Sequence, residues 1–157
     1  MNDSLQVYLN DHLAGSSFAV ELLQYLRDQT EDGELARFAG RTLADVEADV
    51  AVLKGIVEGV GDSGFTLKQA AGWVAEKASR FKLHHGETNG LGTFEALEIL
   101  SLGILGKQAL WRVLAQIAET DSRVGETDFK RLGERAYFQY RTVEAYRLRA
   151  ARTAFSN

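Results

Sequence analysis

Apolar residues recur along this chain at the three-and-four spacing of an α-helix in five stretches. The first spans 4–29 and aligns Leu5, Leu9, Leu13, Val20, Leu23 and Leu26 on one side, with Asp3 or Ser4 placed to cap its start. A short polar turn, Thr30-Glu31-Asp32-Gly33, leads into the second, over 34–60, where Leu35, Phe38, Val46, Val50, Leu53 and Ile56 share a face. Gly59, Gly61 and Gly64 close it. A shorter amphipathic helix follows over 66–83, capped by Thr66, and then a glycine-bearing loop over 84–92. The fourth stretch, 93–119, starts at a capping Thr93 and is apolar nearly all round. Its polar strip is narrow: Glu98, Ser101, Gln108, Arg112 and Gln116. After a second polar turn, 121–126, the last helix spans 127–154 with Phe129, Leu132, Ala136, Tyr140, Val143 and Ala150 in register.

Short turns place consecutive helices antiparallel, so the pattern predicts two helical hairpins. The long connection between them, 61–92, carries the extra short helix. The expected architecture is a single all-α domain over 1–157, an antiparallel four-helix bundle with one long crossover. At 157 residues the chain is long enough to bury a core, and its lack of proline leaves the helices uninterrupted. A helix as apolar as 93–119 is either central or covered by another chain, and a homodimer through it is the expected assembly.

Composition narrows the chemistry. There is no cysteine, which excludes disulfides, thiolate metal sites and cysteine nucleophiles. The net charge of -4 gives no global attraction to nucleic acid or to an anionic membrane. No apolar run reaches the length of a membrane span, and the polar start lacks the basic and apolar parts of a signal peptide, so the expected location is the cytoplasm.

The informative residues are charges on faces that should be buried. On a helical wheel His12 lies in the apolar arc of the first helix and Asp49 in that of the second, between Val46 and Leu53. Glu95 falls among Leu102, Leu110, Val113 and Ile117. Arg147 sits on the apolar face of the last helix with Glu144 one turn back, and Asp11 stands at an edge. A hairpin turning near Glu31 brings His12 level with Asp49, and one turning near Arg123 brings Arg147 close to Glu95. The five are therefore expected to form one layer of the bundle. Burying an unpaired charge is costly, so they must pair or bind something. Three uses are open to such a layer: a salt-bridge network that fixes helix register, a metal site with unusual ligands, or an anion pocket around Arg147.

This arrangement resembles the ferritin-like superfamily, whose dimetal members supply one carboxylate from each of two helices and a Glu-x-x-His pair from each of the others. The resemblance places His12 or Asp11 and Glu95 as the lone ligands, and Glu144-Ala-Tyr-Arg147 where the last Glu-x-x-His would be. Asp49 lies in the region of the other pair, whose histidine position is Val52. Metal candidates are thus His12, Asp49, Glu95 and Glu144, but both motif histidines are replaced, and an arginine cannot ligate a metal. The expectation is a non-catalytic bundle with no cofactor, in a structural or interaction role, with a buried salt-bridge network in place of the metals. The alternative is a carboxylate-rich metal-binding protein of the oxidase or storage kind. Leu9-Asn-Asp-His-Leu-Ala-Gly15 and Thr93-Phe-Glu-Ala-Leu-Glu98 are also similar to segments of bacterial helical proteins, a likeness that implies no activity.

Other features carry ordinary readings. His84-His85 with Glu87 reads as a solvated loop, and Asp11-His12 as helix neighbours about 100° apart with no nucleophile beside them. The arginines of the last helix other than Arg147 read as a solvated basic face. Gly103 and Gly106, inside the most apolar helix, each cost about 1 kcal/mol relative to alanine and suggest close approach of a neighbouring backbone. Trp73 and Trp111 read as packing residues.

Overall fold

Among the described residues, aspartates start three of the four long helices. In the computed structural model, which describes residues 3–61, 72, 76 and 90–156, Asp3 Oδ1 accepts the Leu5 N–H at 2.9 Å and opens α1 (Ser4–Gln29). Asp32 Oδ1 accepts the N–H groups of Glu34 and Leu35 at 2.9 and 3.1 Å and opens α2 (Gly33–Val60). Asp128 does the same for α4 (Phe129–Ala154) through the Arg131 N–H at 3.0 Å. Each bond satisfies a backbone donor that the first helical turn leaves unpaired. The remaining helix, α3 (Leu91–Ile117), begins differently. Gly90, at φ 82°, stands at its cap position with no side-chain hydrogen bond, so Thr93 is not the cap the sequence suggested.

The helices run close to their predicted limits. Between α3 and α4 the polar turn contains one 3-10 turn (Ser122–Val124), held by Asp121 accepting the Arg123 N–H at 3.0 Å. The predicted helix over 66–83 lies outside the described residues, Gly72 and Glu76 apart, as does Trp73. Among the described residues no helix is long and apolar enough to cross a membrane.

The two hairpins, α1 with α2 and α3 with α4, pack through α1 against α3 and more lightly through α2 against α4. At one end of the bundle Tyr146 Oη donates to Glu34 Oε1 at 3.2 Å, and Arg149 reaches Asp32 at 3.5 Å. At the other, Arg123 bridges Asp3 and Asp121, both at 2.6 Å, and the Gln6 side chain donates to the Gly61 carbonyl. These four helix pairs are therefore antiparallel, and Gly61 and Gly90 stand at opposite ends of the bundle. Gly59 makes this second end possible. A Cβ there would stand 2.9 Å from the Arg123 carbonyl oxygen, closer than a carbon side chain tolerates.

The core is a single cluster of leucines and other apolar residues from all four helices, with Leu9, Leu23, Leu26, Leu97, Leu100 and Leu114 fully buried. Trp111 is 1% exposed and stacks on Phe129 at 6.1 Å between centroids. This packing supplies most of the stabilisation, because isolated helices of this length are marginal in water.

Candidate functional site

The most deeply placed charge is Asp49, whose side chain is 3% exposed. It lies in the middle of α2, one turn from Val46 and Leu53, so the same periodicity that buries those residues buries its carboxylate. Oδ2 accepts from Lys107 Nζ of α3 at 2.6 Å, and Oδ1 accepts from the Arg135 guanidinium of α4. Lys107 Nζ also donates to Gln139 Oε1, at 2.5 Å. One carboxylate thus ties α2 to both helices of the other hairpin. Burial pushes the Lys107 pKa below the ordinary lysine value, and Asp49 opposes that shift by favouring the ammonium.

A cavity of about 420 Å³ opens beside this cluster, between α1, α2 and α3. Asp49 and Lys107 form part of its wall, together with Asp11, His12 and Trp111. His12 is half-buried and meets the Tyr8 ring edge-on at 4.7 Å. Its placement opposite Asp49 agrees with the predicted hairpin register. Burial lowers the His12 pKa below its ordinary value of 6.5, against a smaller raising effect from Asp11. The folded chain then takes up this proton less readily than the unfolded chain. This group's contribution to stability is present above about pH 6.5 and is lost as the pH falls through the folded pKa. His12→Gln should accordingly lose less stability than the parent chain between about pH 7 and pH 5 in urea titrations. Equal losses would mean that His12 titrates as it does when unfolded.

A second charge cluster stands at another level. Arg147 donates to Glu144 through Nε and Nη2 at 2.8 and 2.7 Å, and to Glu98 through Nη1 at 2.8 Å. These bonds hold the guanidinium charged and lower the Glu144 pKa below its usual range. Glu98 and Lys107, both on α3, are separated by nine residues, roughly 13 Å along the axis.

The single layer expected from the sequence is therefore two clusters: His12 and Asp49 belong to one, Glu144 and Arg147 to the other. Glu95 is half-buried on the arc of α3 that carries the exposed Leu102 and Val113, and the partner of Arg147 is Glu98 instead. Arg135, read as part of a solvated basic face, reaches into the core to Asp49. Lys107 and Gln139 were not singled out at all. The signal for Lys107 was present, because it lies on the side of α3 away from the polar strip, among Leu100, Trp111 and Leu114. Gly103 and Gly106 do not admit a close backbone. A Cβ at either would meet nothing within 4 Å, and both line the cavity.

The donor set does not fit a dimetal centre. Both Asp49 oxygens accept from cations, Glu144 is engaged by Arg147, and the candidates stand at two levels. Among the described residues no group of three His, Asp or Glu side chains could hold a metal ion. No family model matches the sequence, and neither a curated protein nor a solved structure matches the chain.

Proposed function

We propose that this chain is a non-catalytic helical scaffold of ferritin-like layout, in which an interior salt-bridge network stands where dimetal relatives of that layout carry metal. The observation that carries this reading is Asp49, buried with both carboxylate oxygens held by Lys107 and Arg135. Three helices contribute to that cluster, and an ionic contact among them is satisfied in one register only. The ferritin-like part of the reading is supported by the antiparallel packing of α1 with α2 and α3, and of α4 with α2 and α3, and by a connection whose ends, Gly61 and Gly90, lie at opposite ends of the bundle.

An interaction role follows from the outer arc of α3. Ile99, Leu102, Leu105 and Val113 lie on that arc with exposed side chains, and Leu102 is 63% exposed. Such a stripe on a helix otherwise buried in the bundle suits self-association through α3, in which two copies cover it by a two-fold contact. Sedimentation equilibrium should show a dimer that Leu102→Glu converts to monomer with unchanged helicity. A parent chain that stays monomeric at high concentration would remove the homodimer from this account.

A further inference from the structure

Asp49 is bonded to two cations, with Asp45 also acting on Lys107, and the groups the cluster leaves unpaired are all donors. Among the described residues, the buried side-chain atoms without a hydrogen-bond partner are Trp111 Nε1, Arg135 Nε and Gln139 Nε2. Each carries hydrogen, and none can accept. Lys107 has three N–H groups, of which Asp49 and Gln139 take two. An isolated network that served only to fix register would be expected to balance donors with acceptors, since a buried unpaired group is destabilising. This one lacks an acceptor.

Arg135 and Gln139 lie outside the wall of the cavity and the Trp111 Nε1 atom is itself enclosed, so the donor that faces open space is Lys107. Trp111 and Lys107 both line the 420 Å³ cavity, a volume within the range of small-ligand pockets. The rest of its wall is largely apolar, formed by Val46, Val50, Leu53, Ile104 and Leu110. Gly15, Gly103 and Gly106 also line it, and a Cβ at any of the three would meet nothing within 4 Å. Interior glycines weaken their helices, and here no neighbouring backbone occupies the room they leave. Gly15 and Gly103 are exposed and Gly106 half-buried, so the three leave the mouth of the cavity open on the side that carries Lys107.

We infer that this cavity binds an apolar monocarboxylate, a molecule with an alkyl or aryl body and one carboxylate. The carboxylate accepts the N–H of Lys107 Nζ that Asp49 and Gln139 leave unused, and its charge complements the ammonium. The body lies against the aliphatic wall. Asp11, exposed and bordering the cavity, together with Asp49 itself, disfavours a dianion such as a phosphate monoester. His12, held neutral by burial, adds no competing charge. This inference goes beyond the scaffold reading and does not depend on it.

Calorimetric titration of the untagged chain with octanoate, octanol and octylamine at neutral pH tests it. Octanoate should bind saturably with one site per chain, at least about tenfold more tightly than either of the other two, as a charge-assisted contact requires. Lys107→Met should weaken octanoate by about tenfold or more and leave octanol unchanged. Because that substitution also breaks an ion pair, Gly106→Leu is the second variant: it occupies the cavity while leaving every charge of the cluster in place, and should abolish octanoate binding while the chain stays helical. No saturable octanoate binding, equal binding of octanol or octylamine, or full binding by a folded Gly106→Leu variant would each overturn the inference.

Discussion

Asp49→Ala should destabilise the bundle by about 3 kcal/mol, read as a lower urea midpoint at unchanged slope. Removing the carboxylate leaves Lys107, 14% exposed, without its ion-pair partner, and frees the Arg135 guanidinium beside it. Breaking one side of a buried pair is more damaging than replacing both, because the remaining charge has lost water and gained nothing in return. The effect falls at the low end of the range for buried pairs because Arg135 is 35% exposed and can turn towards solvent. The same logic predicts that Asp49→Leu combined with Lys107→Met recovers most of the loss. A double variant as unstable as Asp49→Ala alone would mean that the cluster contributes through packing and not through charge.

Trp111→Ala should cost about 3–4 kcal/mol, the usual result of emptying a large buried aromatic site. The indole is 1% exposed and stacks on Phe129. Trp111→Phe separates its two roles. It keeps most of the ring contact and removes the unpaired N–H, so the lost volume and the removed orphan donor oppose each other. The net change should be within about 1 kcal/mol in the ligand-free chain. A large loss on Trp111→Phe would show that the N–H has an acceptor in solution.

Much of the architecture was legible in the residue pattern, for physical reasons that also mark its limits. The first helix was readable because apolar spacing, a capping Asp3 and a polar turn at Thr30 all agree on its limits. Asp49 was readable as buried because α2 has a clear apolar arc, and a charge inside it stands out. On α3 the same procedure failed. A helix that is apolar nearly all round gives no contrast, so the arc holding Glu95, Leu102 and Val113 was taken for the interior, yet Leu102 and Val113 are exposed. Lys107, on the inner side, went unnoticed for the same reason. Arg135 shows a different limit. Its long stem carries the guanidinium away from the position its Cα has on the wheel, so a residue placed on an outer arc delivers its charge to the core. The cavity could not be read at all, because open space beside Gly103 and Gly106 and close packing against them leave the same mark in a sequence.

The split of the predicted layer into two clusters bears on chemistry as well as on packing. Glu144 and Glu98 share one arginine, Asp49 shares one lysine and one arginine, and among the described residues no group of three His, Asp or Glu side chains could hold a metal ion. Cations of the protein neutralise these carboxylates. Elemental analysis tests most directly the proposal that side-chain charge stands where metal charge would. Untagged protein, incubated in turn with ferrous, manganous and zinc ions and then desalted, should carry far less than one metal per chain under all three conditions. One or two metals per chain, lost in Asp49→Ala and Glu144→Ala, would contradict it and establish a working metal centre in the bundle.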